Sequence, residues 1–597
     1  MKFLTKYNIA DLLLISVISL LLFVLFYAKQ DAYLVDVGRE AYIPWQMLQG
    51  KVLYKDIFNV YGPLGYQINA LACAIFGTSL NTLYLMGFLN SLLICFTTFF
   101  TVKLFCSRKI ALCTTALTMA VCVYIRTFFN FIFAYSYSAL YALSGFLASL
   151  FCAVLYIRDK KFKYLILSFV FAGFSFANKV ENLPYFVFLF ACLPVFLKTC
   201  VSMKDPRKYL QIIAAFLAFP VLSFGILLFQ GATLHDFVQA FELINRLMKV
   251  PAAQYFYNAY GLFYNPLYIK LSFHYLFRLL QIALPCAVLF YGLNYLNERF
   301  VQNRFLKTLV NAANVFFMLV LTAATYKKAV PVEEKLFCWL GMCGVLVLVW
   351  MCAAALLKAF KNNFNFALPD TKDSMFLFLL CSSILVSLKG IWGISTECYG
   401  TFSLAALFIP FVTFFAMYLP KINEKVFNSA VTEKTIVNLC FVIVITYLFT
   451  NVMKIAEKPL YPVVTDRGCI MVREVFKSQN DFLKYIIAQT PEDAQIVSVP
   501  EGAIINFLTS RKSNNFYYYL IPVNVQVFGE EKIISDFQKN MPDYFIMNNV
   551  PYSPFNVGNF CSYAKNVCDF IEKNYTPEAA VDNGIKFVLY KKNIVVK

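Results

Sequence analysis

Apolar runs of roughly 16 to 25 residues recur along the first three quarters of the chain. Each is long enough to cross a hydrocarbon core of ~30 Å as a helix rising about 1.5 Å per residue. They fall near 10–28, 83–106, 110–125, 135–157, 164–178, 183–200, 209–230, 276–296, 308–326, 335–358, 374–391, 399–419 and 435–453, about thirteen in all. Backbone groups in lipid must be satisfied within their own segment, so such runs become helices. A chain with 60% hydrophobic and only 14% charged residues is no ordinary soluble protein. The expected fold class is a polytopic α-helical membrane protein of about 13 transmembrane helices.

The formal charge of +19 is not gathered into one patch of the kind a nucleic acid requires. Lys and Arg recur instead as small clusters between apolar runs, which is a topology signal and an attraction to anionic lipid. Lys2 and Lys6, the set Lys103, Arg108 and Lys109, the set Arg158 to Lys163, and further clusters up to Lys434 lie on alternate loops. The expectation is a multi-pass protein of the cell (inner, cytoplasmic) membrane with a cytoplasmic N-terminus and a retained first span. An odd number of spans places the C-terminus outside.

A transmembrane domain over 1–453 is then expected, with a first outer loop at 29–82 and another outer loop at 231–275. Beyond it, over 454–597, polar residues become frequent and apolar runs shorten to strand length at 495–500, 543–549 and 586–592. Helical patterns at 481–489, 501–511 and 559–575 alternate with them, which predicts a C-terminal soluble α/β domain. Most of the 18 cysteines sit inside apolar runs as small hydrophobes, and His235 and His274 are the only histidines. A His-rich metal site is thereby excluded. Cys561 and Cys568 on one continuous helix stand two turns apart, too far for a disulfide.

Chemistry is expected where charges meet the outer ends of spans. The first loop carries Asp36, Arg39, Glu40 and Asp56, with turns set by Gly62, Pro63 and Gly65 and with Tyr61 as a stacking platform. Lys179 and Glu181 lie between two spans, and Lys389 and Glu397 flank another. Charges beside a low-dielectric slab must be solvated, paired or used on a substrate. The bland alternatives are a solvated loop, a helix-stitching ion network and a snorkelling lysine. Lys179 and Glu181 are two apart and would not face one another on a helix, so each is expected to engage something else.

The stretch LVDVGREAYIPWQMLQGKVLYKDIFNVYGPLGYQINALACAIFG resembles the first outer loop of GT-C superfamily membrane glycosyltransferases, bacterial relatives of protein O-mannosyltransferases and aminoarabinose transferases (family 39-like). SLKGIWGISTECYG and INFLTSRKSNNFYYYLIP resemble later segments of such proteins. The resemblance implies inverting transfer of a hexosyl or pentosyl group from a polyprenyl-phosphate sugar donor to a lipid, glycan or protein acceptor on the outer face. No cofactor is firmly implied, and a divalent metal ion is left open as a helper. By the family pattern Asp36 is the base, with Glu40 and Asp56 as competing carboxylates. Arg39, Lys179 and Lys389 then serve the departing phosphate, with Glu181, Glu397 and Tyr61 lining the site. Adjacent Asp-Glu is common in that loop, whereas here Asp36 and Glu40 are four apart. A transporter or flippase of lipid-linked saccharides is the competing class, and the lack of an internal repeat counts against it.

Overall fold

The computed structural model describes residues 6–29, 33–34, 36–126, 129–200, 205–260, 266–300, 302–326, 343, 345–353, 370–388, 402–422, 427–457 and 459–593. Among them, seven helices are long and apolar enough to cross a membrane: 8–26, 80–103, 137–159, 206–229, 304–324, 404–421 and 429–457. Shorter apolar helices at 64–76, 162–178 and 180–196 lie beside them. The expected run at 335–358 lies largely outside the described residues.

The first 110 residues or so are organised by turn chemistry. After α1 (Lys6–Phe26) come two short helices, α2 (Val37–Leu48) and α3 (Leu64–Phe76), before the long α4 (Leu80–Lys103) starts at a Ser79 cap. The side chain of Ser79 accepts from the Thr82 amide, which satisfies one orphan donor of the first turn. At the opposite end of α1, Asp11 is fully buried and holds Lys103 and Arg108, the latter at the start of α5 (Arg108–Thr118). Sequence reasoning overlooked this carboxylate, because it sits within an apolar run.

α6 (Tyr137–Asp159) is enclosed on nearly every side and packs along α7 (Phe162–Asn178). Glycines set the close approaches. A Cβ on Gly173 would lie 1.9 Å from the Phe216 carbonyl oxygen of α10 (Pro206–Phe229). At Gly62 it would lie 2.1 Å from the Ala177 carbonyl, so the Tyr61-Gly62-Pro63 turn presses onto the end of α7. The Gly62 amide donates to the Asn178 carbonyl there at 3.1 Å.

The C-terminal region opens with a hairpin, β1 (Tyr461–Thr465) and β2 (Gly468–Val472), which seals the tops of α1 and α4. Its Met471 amide donates to the Ala28 carbonyl, and the Leu80 amide donates to the Arg467 carbonyl. A four-stranded sheet follows in the order β3-β4-β6-β5: β3 (Ile496–Val499), β4 (Tyr544–Asn548), β5 (Tyr575–Asp582) and β6 (Lys586–Lys592). β3 and β4 are parallel, whereas β6 is antiparallel to both its neighbours. Three strands fall where the apolar runs predict them. The hairpin and β5 do not: β5 is largely exposed, and the hairpin strands are only five residues each.

The two cysteines of this region correct an expectation. Cys561 and Cys568 form a disulfide with Cα atoms 5.4 Å apart. The anticipated single helix is broken at Ala564, whose φ of −132° separates a turn at Phe560–Tyr563 from a helix at Lys565–Asn574. That corner brings together residues that a straight helix would hold about 10 Å apart.

This region rests directly on the first loop. A Cβ on Gly38 would lie 2.6 Å from the Ile504 amide, so the starts of α2 and of the helix at Ala503–Thr509 touch backbone to backbone. The Phe58 amide donates to the Phe516 carbonyl, and Trp45 packs edge-on to Phe507. α11 (Leu234–Leu247) adds a clasp in which Arg246 donates to the Val527 carbonyl at 2.6 Å, and from the following helix at Gln254–Tyr260 Tyr255 meets Phe555 with ring centroids 4.6 Å apart. Gly62→Ala is expected to lower the stability of the purified protein in detergent by about 1–3 kcal/mol through overpacking. Thermal unfolding measures it, and an unchanged Tm contradicts the close packing of this turn.

Candidate functional site

The loop helix α2 starts in an unusual way. Asp36 occupies its N-cap position, where an aspartate normally accepts from the amides of the first turn. Its side chain makes no such bond, and its backbone lies at φ 62°, ψ −39°, a conformation that side-chain-bearing residues rarely adopt. The carboxylate turns instead to Arg39, whose Nη1 donates to Asp36 Oδ1 at 2.6 Å. Asp36 keeps 18% of its side-chain exposure, while Arg39 keeps 7%.

Three of the five N–H donors of Arg39 are engaged within the protein. Its Nε donates to Glu40 Oε1 at 2.9 Å and its Nη2 to the Tyr135 carbonyl oxygen. Glu40 is fully buried and also receives the Tyr66 hydroxyl at 3.2 Å and the Tyr137 amide at 2.9 Å. Tyr137 is the first residue of α6, so Glu40 also answers the positive end of that helix. Burial pushes its pKa up, and Arg39 and the Tyr137 amide oppose this. The carboxylates four apart in sequence are thus held together by the arginine between them.

Lys179 comes from the end of α7, with 6% of its side chain exposed. Its Nζ lies 5.1 Å from the centre of the Tyr61 ring and Arg39 lies 4.9 Å from it, so both cations rest on one aromatic. Tyr135 supplies a second ring at 5.7 Å and a hydroxyl at 3.4 Å from Nζ. The expectation for Lys179 and Glu181 is corrected, since the two are partners at 3.2 Å. Lys179 is extended and residues 180–182 form a 3-10 turn, which brings together side chains that an α-helix would splay.

Asp36, Glu40, Arg39, Tyr61, Lys179 and Glu181 are therefore assembled by the first loop and the α6 and α7 ends that it covers. Asp56 stands apart. It accepts from the Val52 amide at 2.8 Å and closes its own turn beside Lys51. Lys55 reaches the Gly231 carbonyl. Lys389 and Glu397 lie outside the described residues. Among the described residues, no group of three or more His, Cys, Asp or Glu side chains is arranged to hold a metal ion.

One carboxyl in this neighbourhood was missed from sequence. Glu501 follows β3 at its carboxyl end, where open α/β sheets place their functional groups, and that position was the available signal. The docking of Gly38 on Ile504 brings Glu501 up to the start of α2. Burial, reinforced by Asp36, pushes its pKa up to about 8.

No family model matches the chain, and no curated protein matches it. Solved structures do resemble it. An archaeal oligosaccharyltransferase AglB from Archaeoglobus fulgidus, in complex with an inhibitory peptide and a dolichol-phosphate, aligns at 12% identity and TM-score 0.46, covering 100% of this chain and 75% of that one. ArnT from Cupriavidus metallidurans bound to undecaprenyl phosphate aligns at 11% identity and TM-score 0.41, covering 97% of each chain. At such identities and TM-scores, function has to be argued from the site itself.

Glu40→Gln leaves Arg39 short of one buried partner and is expected to cost about 3 kcal/mol, the low end for breaking a buried pair, since Asp36 remains. Thermal unfolding checks this, and a Tm equal to wild type shows that Glu40 does not hold the cluster.

Proposed function

We propose that the protein is a membrane glycosyltransferase that transfers a sugar from a polyprenyl-phosphate donor to an acceptor at the outer face of the cell membrane, with inversion at the anomeric carbon. The observation that carries this reading is Asp36. It is an aspartate at a helix start that leaves the helix uncapped, holds a disfavoured backbone conformation and keeps its carboxylate partly open beside two buried cations. Strain of this kind costs about 1–3 kcal/mol and collects where function over-determines the backbone.

In this reading, Asp36 takes the proton from the acceptor hydroxyl as its oxygen attacks the anomeric carbon. The bond from that carbon to the phosphate oxygen breaks, and the lipid phosphate leaves with the electron pair. A carboxylate is the right base for this step because it needs only hydrogen-bond reach to the attacking hydroxyl. Lys179 and Arg39 are preorganised positive charge for the departing phosphate, and their burial strengthens the interaction. Glu181 is half-exposed on Lys179 and yields its place to the phosphate. Glu40 is the positioning residue, since its oxygens already serve Arg39, Tyr66 and α6. Tyr61 keeps the two cations a fixed distance apart. The apolar helices alongside supply a lipid-facing wall for a polyprenyl chain. Asp56, bound into its own turn, has a structural part.

The decisive assay is release of polyprenyl phosphate by purified protein, given a panel of polyprenyl-phosphate sugars and a membrane extract as acceptor. Asp36→Asn is expected to lower transfer at least ~100-fold, the smaller end of general-base contributions, with Tm within a degree or two of wild type. Lys55→Ala is expected to be nearly silent. Transfer by Asp36→Asn at the wild-type rate removes the proposed base. If the folded wild type consumes no donor, the reading gives way to translocation of a lipid-linked saccharide, to be measured in vesicles.

A further inference from the structure

α11 presents three faces to three surroundings. Its inner face carries the buried Leu247 and Phe237, whose ring packs edge-on to Tyr54 of the first loop and to Phe224 of α10. A polar edge follows, on which His235, Gln239, Glu242 and Arg246 recur at spacings of four and three. Leu234, Val238 and Phe241 repeat those spacings one position earlier and so line a stripe of their own. These three are 72%, 55% and 72% exposed. A single exposed apolar side chain needs no explanation, whereas a row of them along one helix marks a surface that something covers.

Connectivity says what covers it. α10 is long and apolar enough to cross a membrane and ends at Phe229, which is 94% exposed, while α11 starts at Leu234. The turn between them reaches at most about 14 Å, so α11 stays at the interface where the span leaves the lipid. Val221, Leu222 and Leu228 of α10 are exposed as well, and the α11 stripe continues that lipid-facing surface around the corner. The stripe turns polar at Asn245 in the last turn, so its apolar half is the half next to α10. At that end the amides are answered internally. Asp236 Oδ2 accepts from the Thr233 amide at 2.7 Å and Thr233 Oγ1 accepts from the Asp236 amide at 3.3 Å, a capping box that lessens the need for water near hydrocarbon. An apolar stripe beside a charged edge is the pattern of helices that lie flat in a membrane surface.

We propose that α11 is an interfacial helix, with the Leu234, Val238 and Phe241 stripe embedded in the hydrocarbon edge of the phospholipid leaflet on the side of the C-terminal region. The same helix and its flanks hold the parts that build the site. Lys55 Nζ donates to the Gly231 carbonyl at 3.0 Å, Phe237 packs on Tyr54, Arg246 donates to the Val527 carbonyl, and the Ala252 amide donates to Gln526 Oε1 at 3.0 Å. The membrane surface thereby sets the height at which the C-terminal region is clasped over the first loop. This inference is independent of the reaction that the site performs.

Photo-crosslinking of the full chain in dioleoylphosphatidylcholine vesicles tests the embedding, with p-benzoylphenylalanine in place of Val238, Gln239, Phe241 or Glu242, and of Val221 on α10 as the lipid-facing standard. Irradiation is expected to add phospholipid to the protein mass at 238 and 241 with a yield within about threefold of that at 221, and at 239 and 242 with less than about a tenth of it. Yields at 238 and 241 no higher than at 239 and 242 overturn the embedding. Adducts between two protein chains in place of lipid overturn it too, since the stripe is then an interface between copies. The coupling is read from hydrogen exchange in the same vesicles, comparing wild type with a variant combining Leu234→Ser, Val238→Ser and Phe241→Ser, all outward-facing positions. Exchange over the helix at Pro522–Phe528 is expected to quicken at least about tenfold in the variant, with β3 and β4 unchanged. Equal exchange in the two proteins overturns the control of the clasp by the membrane.

Discussion

A buried guanidinium is the keystone of this molecule. Arg39 reaches Asp36, Glu40 and the Tyr135 carbonyl at once and rests on the Tyr61 ring. An arginine cannot shed its charge in a protein, so its burial is tolerated only where every side of its planar fork is answered. The partners come from three places in the chain: the start of α2, the segment leading into α6 and the Tyr61 turn pressed on α7. Holding Arg39 therefore fixes the relative placement of all three. The site's rigidity and the fold's local order have the same cause.

Around this centre the other features acquire a purpose. Glu40 cannot be a free base, because Tyr66 and the α6 amide already share it with Arg39. Asp36 keeps one partner and some exposure, and it gives up the capping role that its position invites. Glycine at 62 lets the loop lie against the α7 carbonyls, and glycine at 38 lets the C-terminal region come down onto α2. Each substitution by a larger residue would lift one wall away from the cluster.

The C-terminal region is therefore part of the site's architecture. It closes over the first loop through the Phe58 to Phe516 bond, the Trp45 and Phe507 contact and the clasp from α11. Its disulfide stands at the corner between two short helices, beside the segment that carries Tyr563, whose hydroxyl donates to the Leu520 carbonyl. The hairpin at 461–472 fastens the same region to the tops of α1 and α4.

The sequence by itself determined the class of molecule and singled out a set of charges that the fold brings together. Long apolar runs leave helices as the sole outcome in lipid, and charges placed against those runs need a strong reason to be there, which is why Asp36, Arg39, Glu40, Lys179 and Tyr61 were all legible. Tertiary structure decided how they are paired. Spacing along a chain cannot show that Lys179 and Glu181 pair, because that depends on a 3-10 turn, nor that Cys561 meets Cys568, because that depends on a break at Ala564. It is equally silent on Asp11 and Glu501. One is hidden within an apolar helix and the other is 465 residues from Asp36 in sequence, and only packing between distant segments, at contacts as close as Gly38 on Ile504, brings Glu501 to the site. Periodicity records which face of an element is buried, but the identity of the neighbour is set by the whole fold.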